Sequence, residues 1–515
     1  MTSPREGGLV SASDTPVKEV RSLVPARMDR LPWSRFHWMI VVGLGFSWIL
    51  DGLEVQIVAA NGYAATLGMG PAEVGLAGTC YLLGQVFGAL VFGRLTDRLG
   101  RKKLFILSLA VYLIGSAVAG LAFAPWFFYI WRFVAGAGIG GEYAAINSAI
   151  DEIIPAKYRG RVDIAINGTY WGGAALGAVA NLFFLNTDIL PEDLGWRLSF
   201  FLGPVLGILI IWLRRHIPES PRWQMTHGRE DEAERNVDGI EKRIRQEGKT
   251  IPPVDEAKAI TVKEYGRVPF LTIAKVLFRT YPRRTMVGIT MMVTQSFLYN
   301  AIFFTYALVL ENFYDTPPAS ASQYFIIFAV GNLAGALVLG HFFDTWGRRR
   351  MLFGTYVLAG SILLVSAFLF NAGVLNAGTH TAFWCASFFF ASAGASAAYL
   401  TVSEIFPLEL RSQVISYVFS VGQLVGAIAP VLYGSLIGQS AETGDRGPLF
   451  WGYVLGSAIM ILGGVVCGVF GVSAAGKSLE DIADPLSLVE QAEKGVTPGA
   501  DVAAARAQGD PGKRE

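Results

Sequence analysis

GRLTDRLGRKKL (93–104) returns as GHFFDTWGRRRML (340–352), with Gly93/Gly340, Asp97/Asp344, Gly100/Gly347 and Arg101/Arg348 aligned at an offset of 247. A second pair, SAIDEIIPAKYRGR (148–161) and TVSEIFPLELRSQ (401–413), aligns Glu152/Glu404, Pro155/Pro407 and Arg159/Arg411 at an offset of 252. The same charged punctuation thus occurs twice. A repeat of this length reads as two equivalent halves, the signature of alternating-access carriers built around a central site.

What lies between the marks is apolar. Segments of about 20 residues, long enough to span a bilayer, occur near 37–60, 73–93, 104–124, 126–149, 162–185 and 197–214. After a polar stretch, six more follow near 284–310, 321–343, 351–371, 381–402, 412–437 and 450–472. Of 515 residues, 52% are hydrophobic and only 16% charged, with a mean hydropathy of +0.44. A soluble domain carries about 25% charged residues. The expectation is an all-α membrane protein with twelve transmembrane helices in two pseudo-symmetric six-helix bundles. Its bounds are an N-terminal tail 1–36, bundles 37–215 and 284–472, a central loop 216–283 and a C-terminal tail 473–515.

Charge sets the orientation. Loops 61–72, 186–196, 311–320 and 371–380 contain no Lys or Arg, whereas sixteen basic residues fall between Arg214 and Arg284. The positive-inside rule places both termini and the central loop in the cytoplasm of a cell (plasma or inner) membrane. Within that loop GREDEAERNVDGIEKRIRQEG reads as a solvated helix, and PFLTIAKVLFRTYPRR as an interfacial amphipathic one. Cys80, Cys385 and Cys467 lie in apolar runs without paired spacing, which argues against a disulfide framework or a thiolate metal site. No cofactor, metal or nucleic-acid constellation is found. GVSAAGKS (471–478) matches a phosphate-loop pattern but follows a membrane helix rather than a strand. GAGIGG (136–141) lies mid-helix, where small residues let helices approach.

Intramembrane charge concentrates in the first half, at Asp51, Glu54, Arg132 and Glu142. Such residues cost about 2.5–3.5 kcal/mol each to insert and are functional by default. At 1.5 Å per residue, Asp51 lies roughly 13 Å from the outer end of its helix, and Glu54 and Arg132 each roughly 9 Å. Either acid can meet Arg132 at that depth. Neutral polar candidates for a substrate site are Asn167, Gln295, Asn300, Tyr306, Tyr399 and Gln423.

The repeated G-x(3)-D-x(2)-G-R-[KR] resembles the signature of the major facilitator superfamily. WRFVAGAGIGGE (131–142), PESPRW (218–223), SEIFP with Arg411, and GKSLEDI (476–482) resemble its sugar-porter branch. The resemblance implies a secondary active transporter rather than an enzyme: proton-coupled uptake of a small polar metabolite such as a sugar, polyol or organic or aromatic carboxylate. It implies Asp51 as proton carrier against Arg132. Glu54 has no matched role, and stands as a second titrating group or a substrate contact. Glu142, in GGEY, also resembles metabolite–proton symporters, and either pairs locally or binds substrate. The resemblance further implies a cytoplasmic gate of Asp97, Arg101, Glu152 and Arg159, closed by Glu219, and a second of Asp344, Arg348, Glu404 and Arg411. VSAAGK (472–477) replaces the branch's PETKG ending, which weakens the last lock. In T-Q-S-F-L-Y-N (294–300) Thr294 replaces a Gln of the sugar-porter pattern, and Tyr399 and Asn167 replace a Trp and a Gln. The expected partners are substrate, proton and lipid, with a functional monomer. The alternatives are an efflux antiporter of amphipathic compounds and a transporter-like receptor without net transport.

Overall fold

Proline and glycine divide the apolar runs into helices. Four spans begin on a proline, Pro71–Leu99, Pro125–Ile153, Pro282–Phe303 and Pro318–Thr345, where the missing N–H is one the helix leaves unbonded anyway. The computed structural model describes residues 19–214, 219–226, 228–254, 260–263, 270–406 and 411–471. Among them ten spans are long and apolar enough to cross a membrane. Two further long helices, Pro125–Ile153 and Ala156–Phe184, are richer in glycine and in charge at one end, and bring the crossings to twelve. The fold is all-α apart from a ribbon of β1 (Glu19–Ser22) and β2 (Ile260–Lys263), paired antiparallel outside the spans.

The spans in chain order are Arg35–Ala59, Pro71–Leu99, Arg101–Ala119, Pro125–Ile153, Ala156–Phe184 and Glu192–Arg214 in the first bundle. The second bundle holds Pro282–Phe303 continued by Tyr306–Tyr314, then Pro318–Thr345, Arg348–Asn371 and Ala377–Glu404. It ends with Arg411–Gly426 continued by Ile428–Thr443, and Gly447–Phe470. The break in the eleventh span follows from Pro430, whose ring meets the carbonyl four residues back. In the seventh, the Thr305 hydroxyl bonds the Ala301 carbonyl at the break, a back-bond that bends helices. The continuation carries Glu311, expected in the loop 311–320, into the helix; the second bundle therefore does hold an acid on a span.

Large apolar side chains on the outer faces stay exposed, Ile208 at 69% and Phe87 at 51%, as a lipid boundary requires. Trp38 and Trp346 stand exposed at one level, Trp126 and Trp451 at the other, a belt at each interface. The level carrying the N-terminal segment is called here the near face, and its opposite the far face.

Inside each bundle, glycines bring backbones into contact. A Cβ on Gly136 would sit 2.0 Å from the Tyr81 carbonyl, and one on Gly84 2.1 Å from that of Phe133. The second and fourth spans thus lock reciprocally, and GAGIGG is a packing seam as its mid-helix position predicts. The bundles meet where the second span runs along the eleventh and the fifth along the eighth. The charged repeat is also equivalent in backbone: Gly100 and Gly347 share φ values of +88° and +90°, which favour glycine.

On the near face a helix (Val24–Asp29) lies against the central-loop helix Glu230–Gln246. Val24 and Met28 pack with Ala233, Val237, Ile240 and Ile244. The solvated helix expected in this loop is therefore solvated on one side only. Glu241 accepts hydrogen bonds from Arg27 Nε (3.0 Å), Arg30 Nη2 (2.7 Å) and Arg245 Nη2 (3.0 Å), and Arg222 bonds Asp29 at 2.7 Å. Burial pushes the Glu241 carboxyl up, but the hydrogen bonds and charges of Arg27 and Arg30 outweigh it and hold it below its ordinary value.

Candidate functional site

Between the bundles lies a small cavity of about 80 Å³. Its wall is built from residues four apart, one turn along a helix face: Asp51 and Val55, Tyr81 and Gln85, Ile139 and Tyr143, Tyr299 and Phe303, Asn300 and Phe304. Leu82, Tyr170, Trp171 and Gln423 complete it. Aromatic pairs bracket the space. Tyr143 stacks on Phe419 with centroids 5.5 Å apart on the near side, Tyr81 faces Phe304 at 6.2 Å on the far side, and Trp171 meets Tyr299 at 5.9 Å. Among the lining residues Asp51 alone is charged.

The Asp51 carboxyl is fully buried and acts electrostatically on Tyr81, Tyr112, Tyr143 and Tyr170. Arg132 lies behind this ring, its guanidinium 4.2 Å over the Tyr81 face, a favourable cation–π position. Glu54 lies close enough to act electrostatically on Arg132. That carboxylate lies beside Ser116 and Tyr112 and fills the space left by Gly203, where a Cβ would sit 1.6 Å from its Oε1. The two acids are three positions apart, which rotates them about 60° on a helix of 3.6 residues per turn. That rotation turns Asp51 toward the cavity and Glu54 into the first bundle, against Gly203.

Of the other substrate-site candidates, Asn300 and Gln423 line the cavity, while Asn167, Gln295, Tyr306, Tyr399 and Glu142 do not. Gln295 Nε2 approaches the Tyr399 hydroxyl at 3.5 Å, and Gln56 Nε2 donates to the Tyr306 hydroxyl at 2.7 Å. Glu142 is wholly buried within the fourth span and Asn167 half-buried in the fifth. The missed residues are Gln85 and the tyrosines. Gln85 accepts 2.7 Å from Gln423 Nε2, whose Oε1 accepts 3.3 Å from Asn300 Nδ2.

On the near face Glu219 is placed at the start of the third span, accepting the Lys102 backbone N–H at 3.2 Å, where the helix dipole favours an anion. Glu152 is half-buried and Arg348 buried at the start of the ninth span. The side chains of Asp97, Arg101, Arg159, Asp344, Glu404 and Arg411 lie outside the described residues, as do the phosphate-loop pattern beyond Gly471 and both expected tails outside 19–471. In the second half Arg349 Nε donates to the Gly468 carbonyl at 2.6 Å. A cation at a helix C-terminus thus holds the ninth span to the twelfth.

Two six-helix bundles around one aromatic cavity define a multi-pass membrane transporter of the major facilitator type, not an enzyme. A family model described as "Sugar (and other) transporter" matches residues 60–485, and the chain belongs to that family. It is 26% identical over 467 residues to the niacin transporter NiaP of Acinetobacter baylyi, covering 89% of this chain and 99% of the relative. It is 27% identical over 487 residues to the inner membrane metabolite transport protein YdjE of Escherichia coli, covering 90% and 98%. Among solved structures it resembles the proton:xylose symporter XylE bound to 6-bromo-6-deoxy-D-glucose, with a TM-score of 0.66 and 16% identity over 87% of this chain and 98% of that one.

Proposed function

We propose that this chain imports a small ring metabolite bearing a carboxylate, together with a proton, by alternating access, with its near face in the cytoplasm. The observation that carries the reading is that Asp51 opens on the cavity, beside amides and flat aromatic faces. Two like charges about 5 Å apart at an effective dielectric of about 20 repel by roughly 3 kcal/mol, on the order of a hundredfold in affinity. An anionic substrate therefore binds with Asp51 protonated, and proton and substrate load together. Protonated, the acid donates a hydrogen bond that the carboxylate accepts. Tyr81, Tyr143, Trp171 and Tyr299 supply ring faces, and Asn300 and Gln423 orient the polar group. Glu54 and Arg132 are buried behind the site, and the guanidinium lies over the Tyr81 face. The niacin transporter among the relatives supports a ring acid, and the xylose symporter among the structural neighbours keeps a sugar in the comparison.

The test is uptake into proteoliposomes of nicotinate, other ring carboxylates, xylose and polyols, with and without an inward proton gradient. Asp51→Asn is expected to abolish gradient-driven accumulation and preserve exchange. Full accumulation by that variant overturns the role. The aromatic lining also suits efflux of amphipathic compounds by antiport; a net flux that runs against the proton gradient selects that reading.

A further inference from the structure

The second and eleventh spans form a continuous contact between the bundles. Toward the far face it is sealed by backbone: a Cβ on Gly75 would sit 2.2 Å from the Pro430 carbonyl, one on Gly434 2.4 Å from that of Pro71, and Thr79 Oγ1 donates to the Ala427 carbonyl at 2.7 Å. Toward the near face, a Cβ on Gly93 would lie 3.3 Å from Ser416 Oγ. Between these levels the contact is a chain of three amides, Asn300 to Gln423 to Gln85. The chain is held at both ends by close packing. A Cβ on Gly140 would lie 2.0 Å from the Gln85 carbonyl, and one on Gly426 2.8 Å from Asn300 Nδ2.

We propose that Gln85 is a positioning residue for the substrate site: its bond to Gln423 holds that amide and Asn300 in place from the opposite bundle, and keeps the far side of the empty carrier shut. Opening the far side swings the second span from the eleventh about their near-face contact. The Gln85–Gln423 bond lies between that pivot and the seal, so it parts in the swing. A substrate whose polar group bonds Gln423 and Asn300 replaces what Gln85 supplies, and couples loading to movement. Removing one amide hydrogen bond in a low-dielectric site changes an equilibrium by about tenfold, the equivalent of 1.4 kcal/mol. The substrate half of this inference rests on the transport reading above; the shut empty carrier does not.

The experiment uses the full chain with Cys80, Cys385 and Cys467 replaced, and spin labels at Ala72→Cys and Ser435→Cys, both exposed at the far ends of the two spans. In lipid nanodiscs without substrate, Gln85→Leu is expected to raise the population with separated labels about tenfold. Gln85→Glu keeps an acceptor oxygen in either protonation state and is expected to retain the parent distances. Gln85→Leu with Gln423→Leu is expected to do no more than either alone, because both remove the same bond. Identical distances in Gln85→Leu and its parent overturn the proposal, as does additivity in the double variant. With nicotinate as the probe, Gln85→Leu is expected to lower KM for uptake from the far side, because the open state that loads substrate is more populated. A shift in distances without nicotinate uptake by the parent defeats the substrate reading and leaves the shut carrier standing. Normal uptake without a shift defeats the role of Gln85 alone.

Discussion

Glu241→Gln is expected to release the N-terminal helix Val24–Asp29 from the near face. The Glu241 side chain is 4% exposed and receives Arg27, Arg30 and Arg245. Asp238 and Glu234 also bond Arg27, at 2.5 and 3.4 Å, but are 66% and 55% exposed. Solvent-exposed pairs contribute about 0–1 kcal/mol, whereas removing one member of a buried pair costs about 3–5 kcal/mol. Arg27 and Arg30 keep some contact with water, so the lower figure applies, about 3 kcal/mol. That cost accelerates opening on the order of a hundredfold. Hydrogen exchange of the amides of residues 24–29 in detergent reads it directly. Asp238→Asn is expected to change exchange by less than about fivefold. Equal effects of the two variants would refute the burial argument. The pH dependence has a definite sign: the folded carboxyl titrates below its ordinary 4.5. Docking is therefore complete above that value and is lost as pH falls beneath it through the depressed native value.

Gly136→Leu, which drives a side chain into the Tyr81 carbonyl, is expected to prevent assembly of the first bundle. Gly172→Leu, with open space around it, is expected to leave the melting temperature in detergent within a few degrees. Gly347→Ala meets no atom within 4 Å and is expected to cost only the left-handed backbone strain, about 1–2 kcal/mol. Gly100→Ala adds a clash with Glu219 Oε2 at 2.5 Å, so thermal unfolding should rank it below Gly347→Ala. A reversed order would remove Glu219 from the start of the third span.

The repeat and the spans were legible because charge, proline and glycine are rare inside hydrocarbon and conspicuous where they stand. Depth was legible too, since it follows from helix rise alone. Direction around the helix was not. Asp51 and Glu54 share a level within one turn, and only neighbouring helices decide which acid opens on the cavity. The spacing of the cavity wall is visible in Tyr81/Gln85 and Ile139/Tyr143 once one knows where to look. In spans full of Phe and Tyr, however, four-residue pairs of aromatics occur on lipid-facing sides as well, and a run of candidates has no preferred face. Gln85 differs: a lone buried amide in an apolar span is a signal of the same kind as Gln423 in the other half.

Arg27, Arg30 and the β1–β2 ribbon join the chain before the first span to the chain after the sixth, as far along as Lys263. The long central loop is thus not a long tether. It is tied back to the chain ahead of the first span twice, at Glu241 and at β2.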